Sequence, residues 1–251
     1  MHILAASGVT LHVQELGHGP PVVMVHGLIG SIASWYFTAG PALARGGRRV
    51  RMFDLRGHGR SQRAPTGYDL RTLAADLSAV VADLDAPFDL VGYSWGALVA
   101  LRFALAHPAR VRRLAIVEAP LPPSNAHELA AWLAPDALST AAHTLPHALR
   151  DAALVRGRQA ERMTAALTFL IRDSSLVADL CREPDLEDRE IAGLTCPTVL
   201  LYGERSACAP AGRRLARTVP GARLVMLPGG HFVHLDARTE MTRAIAEHLD
   251  G

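Results

Sequence analysis

The sequence predicts an α/β fold: strands alternate with helices to build a mostly parallel sheet, and a block of helices interrupts the alternation past its middle. Three observations carry this. Short apolar runs bounded by turn residues recur at 21–26, 48–55, 88–92, 111–117, 198–202 and 223–227. Between them lie segments of helical spacing, which imply right-handed crossovers between parallel strands. From Pro120 to about residue 188 the texture changes, with helical patterns and no convincing strand.

In chain order, residues 9–16 alternate with period two and read as an edge strand, and the unbroken run 21–26 reads as a more buried one. The run 48–55 ends in the turn residues RGHGRS. Residues 70–84 place Leu73, Leu77, Val80, Val81 and Leu84 on one helical face, with Asp69 as N-cap. After the strand 88–92, residues 97–106 read as a buried helix stopped by His107-Pro108, followed by the strand 111–117. LPPSN then opens the helical block, with patterns at 126–133, 137–154 and 158–172. The alternation resumes with strands at 198–202 and 223–227 around a helix at 211–218, and an amphipathic helix at 236–249 follows. The expected division is a core of residues 1–120 and 189–251 with an insertion at 121–188.

The bulk properties exclude several functions. With 251 residues, 49% hydrophobic and 20% charged, the chain can bury a substantial core. A net charge of +2 with scattered basic residues makes nucleic acid and membrane surfaces poor partners, leaving a small-molecule substrate and a monomer or homodimer as the expectation. All 26 basic residues are arginine, which removes any lysine Schiff base, P-loop lysine or lysine base. Cys181, Cys196 and Cys208 form no CxxC spacing, so neither a disulfide framework, a zinc knuckle nor any other metal or cofactor site is expected. The thiols and the absence of a readable signal peptide or membrane span fit a cytoplasmic protein.

One stretch, DLVGYSWGALVAL, sets Ser94 between Gly92 and Gly96 at the junction of a buried strand and a helix. Such a junction needs a sharp turn, and the flanking glycines let the two backbones approach. The turn exposes the hydroxyl at the carboxyl edge of the sheet and at a helix N-terminus, where developing negative charge is favoured. Ser94 is therefore expected to be a nucleophile.

Four motifs in order, HGLIG (26–30), DLRGHGRS (54–61), GYSWG (92–96) and GGHFVH (229–234), make the chain resemble the α/β-hydrolase superfamily over nearly its full length. The resemblance implies an eight-stranded, mostly parallel sheet with helices on both faces and a helical lid inserted after the sixth strand. It further implies Ser94 as nucleophile, His231 as base, and an oxyanion hole from the backbone N–H groups of Leu28 and Trp95. The residues agree: imidazole titrates near neutrality, and His231 follows a Pro-Gly-Gly turn directly after a strand. His234 is a competing base better suited to packing, while His26, His58 and Asp54 read as residues that brace turns.

The third member of the triad departs from the family pattern. The usual Gly-x-x-Asp after the penultimate strand reads Gly203-Glu204-Arg205-Ser206 here, so Ser206 stands where aspartate is expected. Some members of the superfamily, haloalkane dehalogenases among them, take the acid instead from the end of the strand after the nucleophile helix. Glu118 occupies that place, ahead of Glu204 and of no acid at all as alternatives.

A serine nucleophile needs an acyl carbon, because attack on an alkyl carbon would leave a stable ether. The expected reaction is hydrolysis of an ester, thioester or lactone of a mainly apolar small molecule. Acyl transfer or cyclisation, C–C bond hydrolysis, and a non-catalytic binding protein are the alternatives. Candidate substrate contacts are Trp35 and Tyr93 beside the site, and Trp132, His143 and Phe169 in the insertion, with His147 and Met163 as further possibilities there.

Overall fold

The computed structural model describes residues 1–5, 7–28, 30–84, 87–122 and 158–251; for residues 158–164 only the backbone course is described. Eight strands form one sheet in the order β1-β2-β4-β3-β5-β6-β7-β8. They are β1 (His2–Leu4), β2 (Thr10–Leu16), β3 (Pro21–Val25), β4 (Arg49–Phe53), β5 (Phe88–Tyr93), β6 (Val111–Val117), β7 (Thr198–Gly203) and β8 (Arg223–Leu227). β2 pairs antiparallel with β1 and β4, and every pairing from β4 to β8 is parallel.

The central strands are buried on both faces, and their alternate residues enter two separate cores. Val23, Val25, Leu90, Leu114 and Ile116 face one core with α3 (Leu70–Val80) and α4 (Trp95–Ala106). Val22, Met24, Val91, Ala115 and Val117 face the other, covered by α1 (Ala33–Tyr36), α2 (Ala39–Arg45) and α10 (Arg238–Asp250). α4 is apolar nearly all round because it is covered by the sheet on one side and by α3 on another. Asp69 caps α3 as the sequence predicts, accepting from the Thr72 amide at 2.9 Å.

Register fixes where the chemistry gathers. Gly92 of β5 lies beside Val25 of β3 and Ile116 of β6, and Val117 pairs with both Tyr93 and Leu201 of β7. The carboxyl ends of β3, β5, β6 and β7 are thus level, and residues 26–28, 94, 118 and 203–206 emerge at one edge of the sheet.

The described part of the predicted insertion, residues 121–122 and 158–188, carries the helices α5 (Arg158–Arg172) and α6 (Leu176–Arg182), and α7 (Asp188–Ile191) begins at its last residue. Leu170, Leu176 and Leu180 are buried in the core that holds α3. Asp179 and Glu183 accept from the amides of Tyr68 and Leu70, each at 2.9 Å, where the positive end of α3 favours carboxylates. Between α7 and the end of the chain follow α8 (Ala209–Thr218), α9 (Val233–Asp236) and α10.

The helix expected at 236–249 is α10, whose start is set by Ala237, at φ −132° and ψ 43°, which separates it from the preceding turn of helix α9. The short helices α1 and α2 had no signal, since neither is long enough to display a periodic face.

Candidate active site

Ser94 is the residue between β5 and α4, and its φ of 53° puts a non-glycine residue in the left-handed region. That conformation is costly by itself and persists because the surroundings enforce it. A β-carbon on Gly96 would collide with the carbonyl oxygens of Val25 and His26, and one on Gly92 with the start of α4. The two glycines therefore let strand, turn and helix close up, as the sequence spacing predicts.

The loop after β3 passes directly beside the serine, for a β-carbon on Gly27 would lie 3.0 Å from Ser94 Cβ. Two buried groups hold that loop. His26 Nδ1 donates to the Gly27 carbonyl at 2.7 Å and its Nε2 accepts from the Leu55 amide at 3.0 Å. Burial dominates its titration and, despite the Gly27 bond, lowers its pKa to about 4, so the ring is neutral. Asp54 accepts from the amides of Ile32 at 2.7 Å and Arg60 at 2.9 Å, joining the residues that follow HGLIG to DLRGHGRS. Arg56 fixes the second loop to α3 through two 2.7 Å bonds to Asp76, and His58 Nδ1 donates to the Arg56 carbonyl at 2.8 Å. His26, His58 and Asp54 brace turns, as the sequence suggested.

His231 arrives on the turn after β8. Its Nε2 lies 3.0 Å from Ser94 Oγ and its Nδ1 lies 2.9 Å from Glu118 Oε2. The turn is positioned by Tyr93, whose hydroxyl donates to the His231 carbonyl at 3.1 Å, and by Arg205, whose amide donates to Gly229 at 3.0 Å. Residues 94, 231 and 118 thus form one hydrogen-bonded chain assembled from the ends of β5, β8 and β6.

Glu118 is fully buried and, at φ 57°, shares with Ser94 a backbone region otherwise left to glycine among the described residues. Its Oε1 accepts from the Gly203 amide at 2.5 Å, and its Oε2 accepts from both His231 and the Ser206 hydroxyl. A buried carboxylate with every oxygen engaged avoids the penalty of an unpaired charge. Glu204, the alternative acid, is exposed.

The charged form of His231 is favoured. Burial lowers its pKa, but Cys208 and then Glu118 more than offset this and raise it to about 9. Cys208 was not anticipated as part of this neighbourhood; its Sγ lies 3.6 Å from His231 Nδ1. The only signal was its position two residues beyond Ser206, on the turn where the acid was sought. His234, the competing base, is buried in α9 with its ring 4.5 Å from that of Tyr93, and burial followed by the His231 charge lowers its pKa to about 4.

The remaining expected residues have different settings. Leu28 and Trp95 are buried beside the serine, Leu28 next to Gly27 and Trp95 as the first residue of α4, with its indole in the core. Trp35 is almost wholly buried and meets Tyr93 edge-on at 6.4 Å, which places it behind the site. Phe169 lies on α5 with the Arg63 guanidinium 5.5 Å from its ring centre. Trp132, His143 and His147 lie outside the described residues, as does the side chain of Met163. Two concavities of about 880 and 400 Å³, one lined by Asp69, Arg102 and Glu183 and the other between α2 and α10, do not include Ser94. Among the described residues no helix is long and apolar enough to cross a membrane.

Comparison with known proteins gives the same lineage. Residues 20–142 match the family model for the alpha/beta hydrolase fold. The chain is 32% identical over 261 aligned positions to a pimeloyl-[acyl-carrier protein] methyl ester esterase of Chromobacterium violaceum, covering 96% of this chain and 98% of that protein. It is 36% identical over 127 residues to bifunctional epoxide hydrolase 2 of Sus scrofa, a match covering 49% of this chain and only 23% of that longer protein. Among solved structures, a hydrolase from Pseudomonas aeruginosa PA01 superposes with a TM-score of 0.82 at 26% identity, over 100% of this chain and 98% of that one. The chain belongs to the α/β-hydrolase fold family of hydrolytic enzymes.

Proposed function

We propose that the protein hydrolyses an ester, thioester or lactone of a mainly apolar small molecule through an acyl-enzyme on Ser94. The observation that carries this reading is the unbroken chain from Ser94 Oγ through His231 to Glu118, with separations of 3.0 and 2.9 Å. The esterase of Chromobacterium violaceum, aligned over nearly its whole length, supports an ester-type bond.

In the proposed reaction Ser94 Oγ attacks the acyl carbon as its proton passes to His231 Nε2. Glu118 keeps the other ring proton on Nδ1 and offsets the imidazolium charge. The oxyanion forms against the N–H groups of Leu28 and Trp95, the latter at the positive end of α4. His231 returns the proton to the leaving oxygen or sulfur, then activates the water that cleaves the acyl-enzyme. Tyr93 and Phe169 would shape the acyl side of the site, with Trp35 packed behind Tyr93.

A fluorophosphonate probe tests the nucleophile. The parent protein labels once, Ser94→Ala does not, and p-nitrophenyl esters of graded chain length are hydrolysed by the parent alone. Labelling that survives in Ser94→Ala, or a parent that neither labels nor turns over any ester, rejects the reading.

A further inference from the structure

Cys208, His231 and Glu118 come from three separate elements, yet their donor atoms converge. Cys208 Sγ, His231 Nδ1 and a Glu118 carboxylate oxygen all lie within 4.8 Å of one another. Tetrahedral zinc, with bonds of roughly 2.3 Å to sulfur and 2.0 Å to nitrogen or oxygen, sets sulfur and nitrogen about 3.5 Å apart and nitrogen and oxygen about 3.3 Å apart. The separations here are 3.6 Å from Cys208 Sγ to His231 Nδ1 and 2.9 Å from His231 Nδ1 to Glu118 Oε2.

We propose that these three side chains form an inhibitory site for a thiophilic divalent cation of the zinc type, built onto the back of the catalytic histidine. Thiolate, imidazole and carboxylate are the donor set such an ion takes, and three protein ligands leave a fourth position for water. The carboxylate is already oriented, because the Gly203 amide donates to Oε1 and the Ser206 hydroxyl to Oε2. Spacing in the sequence could not reveal the site, since its ligands are 23 to 113 residues from His231.

Binding would act through the tautomer. The metal takes the Nδ1 lone pair, the protons that Nδ1 and the Cys208 thiol carried leave to solvent, and Nε2 keeps its own proton. Nε2–H then faces Ser94 Oγ and cannot accept its proton, while Glu118 is drawn from its partnership with Nδ1. The inhibition rests on the catalytic reading above; the binding does not.

The metal-free protein is titrated with CoCl₂, following the thiolate-to-cobalt charge-transfer band, and with ZnCl₂ by calorimetry. One cobalt ion per chain with that band is expected, equally in Ser94→Ala, whose serine is not a ligand. Cys208→Ala should lose the band and bind zinc at least about tenfold more weakly. No band, or unchanged zinc affinity in Cys208→Ala, overturns the site. A protein that loads zinc through Cys208 yet hydrolyses p-nitrophenyl esters at an undiminished rate overturns the inhibition. If no ester is hydrolysed at all, the cobalt band still decides the site independently of the proposed function.

Discussion

The hydroxyl of Ser206 donates to Oε2 of Glu118, the same oxygen that accepts from His231 Nδ1. The position where the family usually carries its acid thus supports a carboxylate supplied by the neighbouring strand. β6 and β7 are adjacent and in register, so the end of one lies beside the turn after the other.

Replacing Glu118 by Gln keeps the shape and most hydrogen-bond capacity but removes the charge that balances imidazolium. Turnover should fall by roughly 10²–10⁴-fold, with the circular dichroism spectrum and cooperative unfolding retained. Ester hydrolysis within a few-fold of the parent would refute the assignment.

Moving the acid back tests the same geometry from the other side. Ser206→Ala deprives a fully buried carboxylate of one donor, and should lower stability by about 1–3 kcal/mol as well as slow turnover. Ser206→Asp alone sets a second carboxylate against Glu118 and should be worse. Combined with Glu118→Gln it restores one charge beside Nδ1, so the double variant should exceed Glu118→Gln in kcat/KM by at least about tenfold. Additive losses would mean that position 206 cannot serve the histidine.

Much of this was legible because local steric demands leave few options. The Gly92-x-Ser94-x-Gly96 spacing announces the turn, since any β-carbon at either glycine meets backbone. The strand runs were visible because β5 and β7 are buried on both faces and consist almost wholly of apolar residues. Cys208 could not be read in this way. Its relation to His231 depends on β7 and β8 being parallel neighbours, which brings the turns after both strands together. Trp35 looked like a pocket residue by its place in sequence, but the four-residue α1 turns it into the core behind Tyr93.

The raised pKa of His231 dictates a pH profile. The base must be neutral in the free enzyme, and its pKa lies at about 9 against an ordinary 6.5. The kcat/KM for a p-nitrophenyl ester should therefore climb from pH 6.5 towards pH 9. Glu118→Gln and Cys208→Ala each remove a group that favours the charged ring, and each should shift this limb to lower pH. A midpoint that stays fixed in both variants would assign the limb to another group. The stability contribution has the matching sign: complete below pH 6.5, and lost as the pH rises through about 9.

His26 is the opposite case. It is fully buried and neutral, with its pKa lowered to about 4 chiefly by burial, and it joins the loop after β3 to the loop after β4. His26→Ala leaves the buried Leu55 amide without its acceptor, at a cost of about 1–3 kcal/mol, and opens a cavity besides. Unfolding the parent below pH 6.5 takes up a proton that the folded ring refuses, so this contribution to stability declines from pH 6.5 down to about 4 and is level below that. The variant has no such ring, so the stability gap between the two proteins should narrow by up to about 1.4 kcal/mol for each pH unit in that window. Urea unfolding at pH 7 and at pH 5 measures the gap directly. A difference that stays constant across the two conditions would mean that the ring takes up its proton as readily in the folded protein as in the unfolded chain, and that the turn beside Ser94 is held in another way.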